Sequence, residues 1–168
     1  MRPSGKGGVL VKLDYEQLEA ELIEKLNDNK TWVLATSEDD RVTARAVSIV
    51  NSGLRVYFQT HQDYLKVRQI EANNRVALCR DHIQIEGVAT NRGNPFDDGN
   101  VDFVRLYSKY HETSFKRYTR LEGQVVIEIK PKLAAMWKYI DAVPYMDYIN
   151  IEDREAYRVE QKHIPIEE

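Results

Sequence analysis

The stretch YFQTHQDYLKVRQIEANNRVAL, Tyr57 to Leu78, begins as a strand, breaks at Thr60 and resumes within a few residues as a helical pattern. Val56 and Phe58 alternate with Tyr57 and Gln59 as the two faces of a strand do, and a helix is expected to begin near Gln62. A helix start leaves unpaired backbone N–H groups and a partial positive charge, and both suit an anion. Thr60 and Tyr64 add hydroxyls at that mouth, and Lys66 adds a full positive charge within the first turn or so. Such a set would hold a phosphate. Thr60 and Asp63 equally fit a Thr-x-x-Asp capping box, which needs no ligand, so local chemistry leaves both readings open.

The flanking sequence gives that stretch its frame. Ahead of it, DYEQLEAELIEKLNDN places Leu18, Leu22, Ile23 and Leu26 on one helical stripe, with Asp14 and Gln17 spaced as an N-terminal capping pair. The run KTWVLATSEDDRVTARAVSIVNSGLRVYFQT divides into three β-rich segments at SEDD and at NSG, where Gly53 tolerates the positive φ of a tight hairpin. Behind it, RVALCRDHIQIEGVAT supplies two more strands, and Cys79 within them reads as core. The segment DFVRLYSKYHETSFKRY is helical, with Phe103, Leu106, Tyr107 and Tyr110 on one side, and GQVVIEIKPKLAAMWKY returns to strand. About six antiparallel strands with helical excursions predict a closed or partly closed barrel, because closure removes exposed edges.

Composition limits the function. The 168 residues fit one domain that buries about 70% of its unfolded surface and needs no disulfide or metal for a core. A net charge of −3, from 24 Lys and Arg against 27 Asp and Glu, gives no bulk attraction to nucleic acid or to acidic membranes. The opening MRPSGKGG lacks the apolar segment of a signal or membrane helix and the spacing of a P-loop, and reads as a loose leader of a cytoplasmic protein. The expected organisation is a leader over 1–13, a barrel domain over 14–139, and a C-terminal segment over 140–168 packed on the barrel or a dimer partner.

The order RAVSIV, then VYFQT, then YLKVRQIEANNRVAL resembles the flavin-binding split-barrel family that contains pyridoxamine 5'-phosphate oxidase. Arg45, Val47, Phe58, Thr60, Lys66, Asn74, Val76, Ala77 and Leu78 match its pattern, with Tyr64 near the usual serine. The resemblance covers about Thr31 to Ala89 well and the remainder in outline. It implies a mainly β fold with helices, a six-stranded antiparallel split barrel of FMN-binding type flanked by an N-terminal helix and short helices. It further implies that Arg45, Ala46, Val47 and Ser48 line the flavin, largely through backbone groups, while Thr60, Tyr64, Leu65 and Lys66 hold its phosphate end. His82 falls where relatives carry a glutamine that touches the flavin ring, so it is a candidate contact and also a departure. Trp137 is implied as an aromatic wall reaching a neighbouring subunit's flavin, with plain core as the alternative.

On that resemblance the chain is expected to be an FMN-dependent oxidoreductase, a homodimer with FMN at the subunit interface, acting on a small aromatic substrate. A non-catalytic flavin, deazaflavin or haem binding protein is the alternative. Flavin chemistry resides in the cofactor, so no loud catalytic motif is required. His61, His82, His111 and His163 are scattered with no zinc spacing, and no hydrolase elbow or Rossmann fingerprint is present. Asp39 with Asp40, and Asp97 with Asp98, read as solvated turn residues. The ending REAYRVEQKHIPIEE has no counterpart of the arginine-bearing segment with which pyridoxamine phosphate oxidases bind substrate, while Val143, Tyr145, Met146, Tyr148 and Ile149 are too apolar for a free tail.

Overall fold

A computed structural model of the protein describes residues 10–28 and 30–161. Its backbone runs β1 (Leu10–Lys12), α1 (Tyr15–Asp28), β2 (Thr31–Glu38), β3 (Arg41–Ser48), β4 (Val50–Ser52), β5 (Arg55–His61), α2 (Leu65–Ala72), β6 (Arg75–Arg80) and β7 (Ile83–Asn91). A single 3₁₀ turn then leads into α3 (Val101–Tyr110) and α4 (Glu112–Tyr118), followed by β8 (Gln124–Ile140), β9 (Val143–Asn150) and β10 (Glu155–Glu160).

Six of these strands build the split barrel. Antiparallel ladders give the order β3-β2-β6-β7-β8-β5, and no ladder joins β3 to β5. The gap is bridged by the chain itself, which leaves β3, passes Ile49 and continues as β4 paired to β5. Inward residues such as Trp32, Leu34, Phe58, Leu78, Ile85 and Ile127 alternate with outward ones and fill the interior. The α1 helix adds Leu18, Leu22 and Leu26 to the same core, and Asp14 caps it by accepting a 2.8 Å bond from the Gln17 backbone N–H. Ile23 of the expected stripe is only partly buried.

The strand β8 is long enough to take part in two assemblies. Its first half pairs with β5, and from Leu133 onward it pairs with β9, with a register shift in its β7 partner at Glu86/Gly87. A Cβ at Gly87 would stand 2.8 Å from the Lys130 carbonyl oxygen, so the bulge requires glycine. The C-terminal segment thereby becomes β9 and β10, and β10 takes β1 as its edge partner. Residues 10–12, read as part of the leader, are therefore a strand, while 1–9 and 162–168 lie outside the described residues. Asp147 fastens this extension: fully buried on β9, it accepts bonds of 2.6 and 2.8 Å from Arg158 on β10 and lies 3.0 Å from Lys138 Nζ on β8.

The helical excursion after β7 is two helices. The chain breaks at His111, whose Nε2 lies 2.8 Å from the Ile49 carbonyl oxygen. Phe103 and Tyr107 of α3 pack outside the barrel on Val50, Tyr57 and Val126, whereas Tyr110, expected on that face, is exposed beneath the Lys30 and Lys109 ammonium groups.

Candidate functional site

The gap between β3 and β5 opens into a cavity of about 270 Å³. Ala46, Val47 and Ser48 form one wall, and Thr60, Tyr64 and Lys66 form the other. Six of the ten residues singled out in the sequence thus meet in one place. The strand period explains the second wall: Val56 and Phe58 point inward on β5, so Thr60 also points inward, at the strand's end. Lys66, on the first turn of α2, donates to Thr60 Oγ1 at 3.1 Å. Its Nζ also sits 4.7 Å over the Tyr64 ring.

Arg45 is part of the same electrostatic unit, although its guanidinium does not line the cavity. It turns instead to β2 and β3, donating to the Thr36 and Thr43 hydroxyls and to the Leu34 carbonyl. Burial lowers the Lys66 ammonium below its ordinary value, and the Arg45 charge lowers it further; burial alone lowers Arg45. Among the described residues no carboxylate lies within ion-pair distance of either cation. Two mutually repelling cations, backed by hydroxyls and without a counterion, fit the anionic end of a phosphate-bearing cofactor.

The helix start differs from the sequence expectation. The α2 helix begins at Leu65 rather than near Gln62, its N-cap is Tyr64, and no side chain caps it. Asp63 instead donates its backbone N–H to His61 Nδ1 at 3.2 Å, so the Thr60–Asp63 capping box does not form. Leu65 opens the helix without lining the cavity.

His82 and Trp137 line a different cavity, of about 460 Å³, which shares no lining residue with the first. His82 is not on a strand: with Asp81, whose φ is +51°, it makes the tight β6–β7 turn and is exposed. Trp137 is half-buried, and its backbone N–H donates to the His82 carbonyl at 2.9 Å. Cys79 is likewise exposed rather than core, because the alternation of β6 turns Val76 and Leu78 inward and Cys79 outward.

Sequence reasoning missed the far wall of the first cavity. Gln59, His61 and Gln124 reach it from β5 and β8, and Tyr107, Ser114 and Tyr118 from α3 and α4. The spacing of Ser114 and Tyr118 puts both on one helical face, but nothing in the sequence aims that face at Thr60. The described residues contain no His, Cys, Asp and Glu group able to hold a metal, and no helix long and apolar enough to cross a membrane.

The fold and site define a split-barrel protein. The profile of the pyridoxamine 5'-phosphate oxidase family matches residues 18–138, most of the chain, and the protein belongs to that family. None of the curated proteins compared with the chain matches it. Among solved structures it is similar to general stress protein 26 of Bacillus anthracis, at 24% identity over 70% of this chain and 92% of that one, with a TM-score of 0.54. A FAD-binding protein of Mesorhizobium loti has the same fold at 14% identity, covering 93% of this chain and all (100%) of that one, with a TM-score of 0.57. So has HutZ, a heme storage protein of Vibrio cholerae, at 16% identity over 68% and 89% of the two chains, with a TM-score of 0.58.

Proposed function

We propose that this protein binds FMN in the cavity between β3 and β5 and acts as an FMN-dependent oxidoreductase on a small aromatic substrate. The observation that carries this reading is Lys66 held against Thr60, with the Arg45 charge acting on it and no carboxylate paired to either cation among the described residues. Thr60 and Lys66 would grip a terminal monophosphate through charge-assisted hydrogen bonds, while the backbone of Ala46, Val47 and Ser48 runs along the cavity wall where the ring system would lie. When bound, FMN supplies the electron transfer, and the chain supplies position and charge.

Homodimerisation belongs to the same proposal. Two features support it. Val33, Val42, Ala44, Ala46 and Cys79 leave an apolar stripe exposed on the outer face of β2, β3 and β6, with Val33 register-paired to both Ala46 and Cys79. The cavity holding His82 and Trp137 is also separate from the phosphate cavity within one chain, so a second copy would be needed to bring Trp137 against the flavin.

Pyridoxamine 5'-phosphate is a poor candidate substrate. The C-terminal Arg158 is committed to the buried Asp147, and Arg154 to Glu16, so neither is available as a phosphate clamp. The purified protein is expected to be yellow, to reduce quinone or nitroaromatic acceptors with NADH or NADPH, and to leave pyridoxamine 5'-phosphate nearly untouched. Efficient oxidase turnover of that compound would overturn the substrate reading. A haem Soret band in place of flavin absorption would overturn the cofactor, and flavin binding without turnover on any donor would leave a binding protein.

A further inference from the structure

We infer that Gln69, a residue of α2 that does not line the cavity, sets the FMN-over-riboflavin preference of the site by fixing Arg45. This inference rests on the flavin reading above. Gln69 is fully buried although it is polar, and both ends of its amide are hydrogen-bonded. Its Oε1 accepts from Thr36 Oγ1 at 2.6 Å and from Thr43 Oγ1 at 2.7 Å, with Arg45 Nη2 at 3.4 Å. Its Nε2 donates to the Arg41 carbonyl at 3.3 Å.

These bonds leave little freedom in the placement of protons. The Arg41 carbonyl can only accept, so it fixes which end of the Gln69 amide is nitrogen. The amide oxygen is then turned to the two threonines and must take their hydroxyl protons. Each hydroxyl, having donated to Gln69, presents its lone pairs to Arg45: Thr36 accepts from Nη1 at 2.6 Å and Thr43 accepts from Nη2. Arg45 is thus clamped from both sides by acceptors that carry no charge. A carboxylate in the same position would neutralise the guanidinium, whereas an amide holds it in place with its charge intact. That charge reaches Lys66, whose ammonium it destabilises in the absence of an anion.

The consequence is specific. Gln69 acts as a positioning residue for the part of the ligand that carries negative charge, so its loss should fall on the phosphate and spare the ring. FMN and riboflavin differ only in that phosphate, and the ratio of their dissociation constants isolates the effect from general loss of fold.

The test is titration of the full-length protein with FMN and with riboflavin, followed by flavin fluorescence, for wild type, Gln69→Glu and Thr43→Val. Gln69→Glu keeps the acceptors for both threonines but pairs with Arg45. Thr43→Val removes one hydroxyl at a partly exposed strand position and keeps the β-branched shape, so it is expected to fold whether or not the buried substitution does. The preference for FMN should fall at least tenfold in Gln69→Glu and about fivefold in Thr43→Val, with riboflavin affinity within about twofold of wild type. A Thr43→Val protein that keeps the wild-type ratio overturns the inference, as does a folded Gln69→Glu protein that keeps it. A wild-type chain that binds neither flavin, or binds both equally, overturns the flavin-phosphate reading itself.

Discussion

Lys66 Nζ and Thr60 Oγ1 meet at 3.1 Å across the junction where β5 ends and α2 begins, and their contact joins the strand register to the helix start. The lysine is half-buried, faces a second cation and has no carboxylate partner among the described residues, an arrangement that costs stability until an anion arrives.

Removing that ammonium tests the site directly. Lys66→Ala is expected to weaken FMN by about 1.5–3 kcal/mol, the range for hydrogen bonds to charged groups, and to leave riboflavin nearly unchanged. Isothermal titration of both ligands reads it. Unchanged FMN affinity would remove the phosphate from this cavity.

The same group gives the site a pH dependence whose sign follows from its lowered pKa. Above that lowered value the empty site has lost a proton that a bound phosphate would restore, so binding takes up a proton and affinity falls as pH rises. Affinity also falls below about pH 6, where the phosphate loses its second charge. Lys66→Arg should abolish the alkaline fall, since a guanidinium stays protonated. An alkaline limb of equal steepness in Lys66→Arg would assign the titration to another group.

The C-terminal extension depends on Asp147. Burial alone would raise its carboxyl pKa, but hydrogen bonds from Arg158 and Lys138 overcome that and hold it below the ordinary value. Asp147→Ala leaves Arg158 without its carboxylate and Lys138 with Glu21 alone, and is expected to cost about 3–5 kcal/mol in denaturant unfolding. The carboxylate's contribution is present above about pH 4 and is lost as pH falls through its lowered folded pKa. The gap in stability between wild type and Asp147→Asn should therefore narrow in acid. A gap that stays constant down to pH 2 would show that the charge of Asp147 contributes nothing.

The exposed stripe on β2, β3 and β6 predicts a dimer of twice the 19.6 kDa chain mass in light scattering. Val33 is 43% exposed on that face, so Val33→Arg should fold and run as a monomer with weakened FMN binding. A Val33→Arg protein that remains dimeric would move the interface elsewhere.

Much of this fold was legible in the sequence because its signals are local. The alternation in TWVLATSE and RVYFQTH, the Asp14 cap, the left-handed Gly53 in its turn and the ordered residues from Arg45 to Leu78 each depend on neighbours a few positions away. The helix start expected after Thr60 likewise put Lys66 at the same mouth, although α2 begins at Leu65. What the sequence could not determine involves distant partners. The 17 residues of β8 read as one strand, yet only the sheet shows that its halves serve two different neighbours and that the apolar C-terminal segment adds strands to them. Cys79 carries the composition of a core residue, but register turned it outward. Gln69 looks like any polar residue on a short helix, and its role exists only because α2 packs on β2 and meets Thr36 and Thr43 across the barrel end. Periodicity records which face of an element is apolar, because that depends on its own residues; which polar groups face one another across a gap is set by the packing of several elements, and only the tertiary structure decides it.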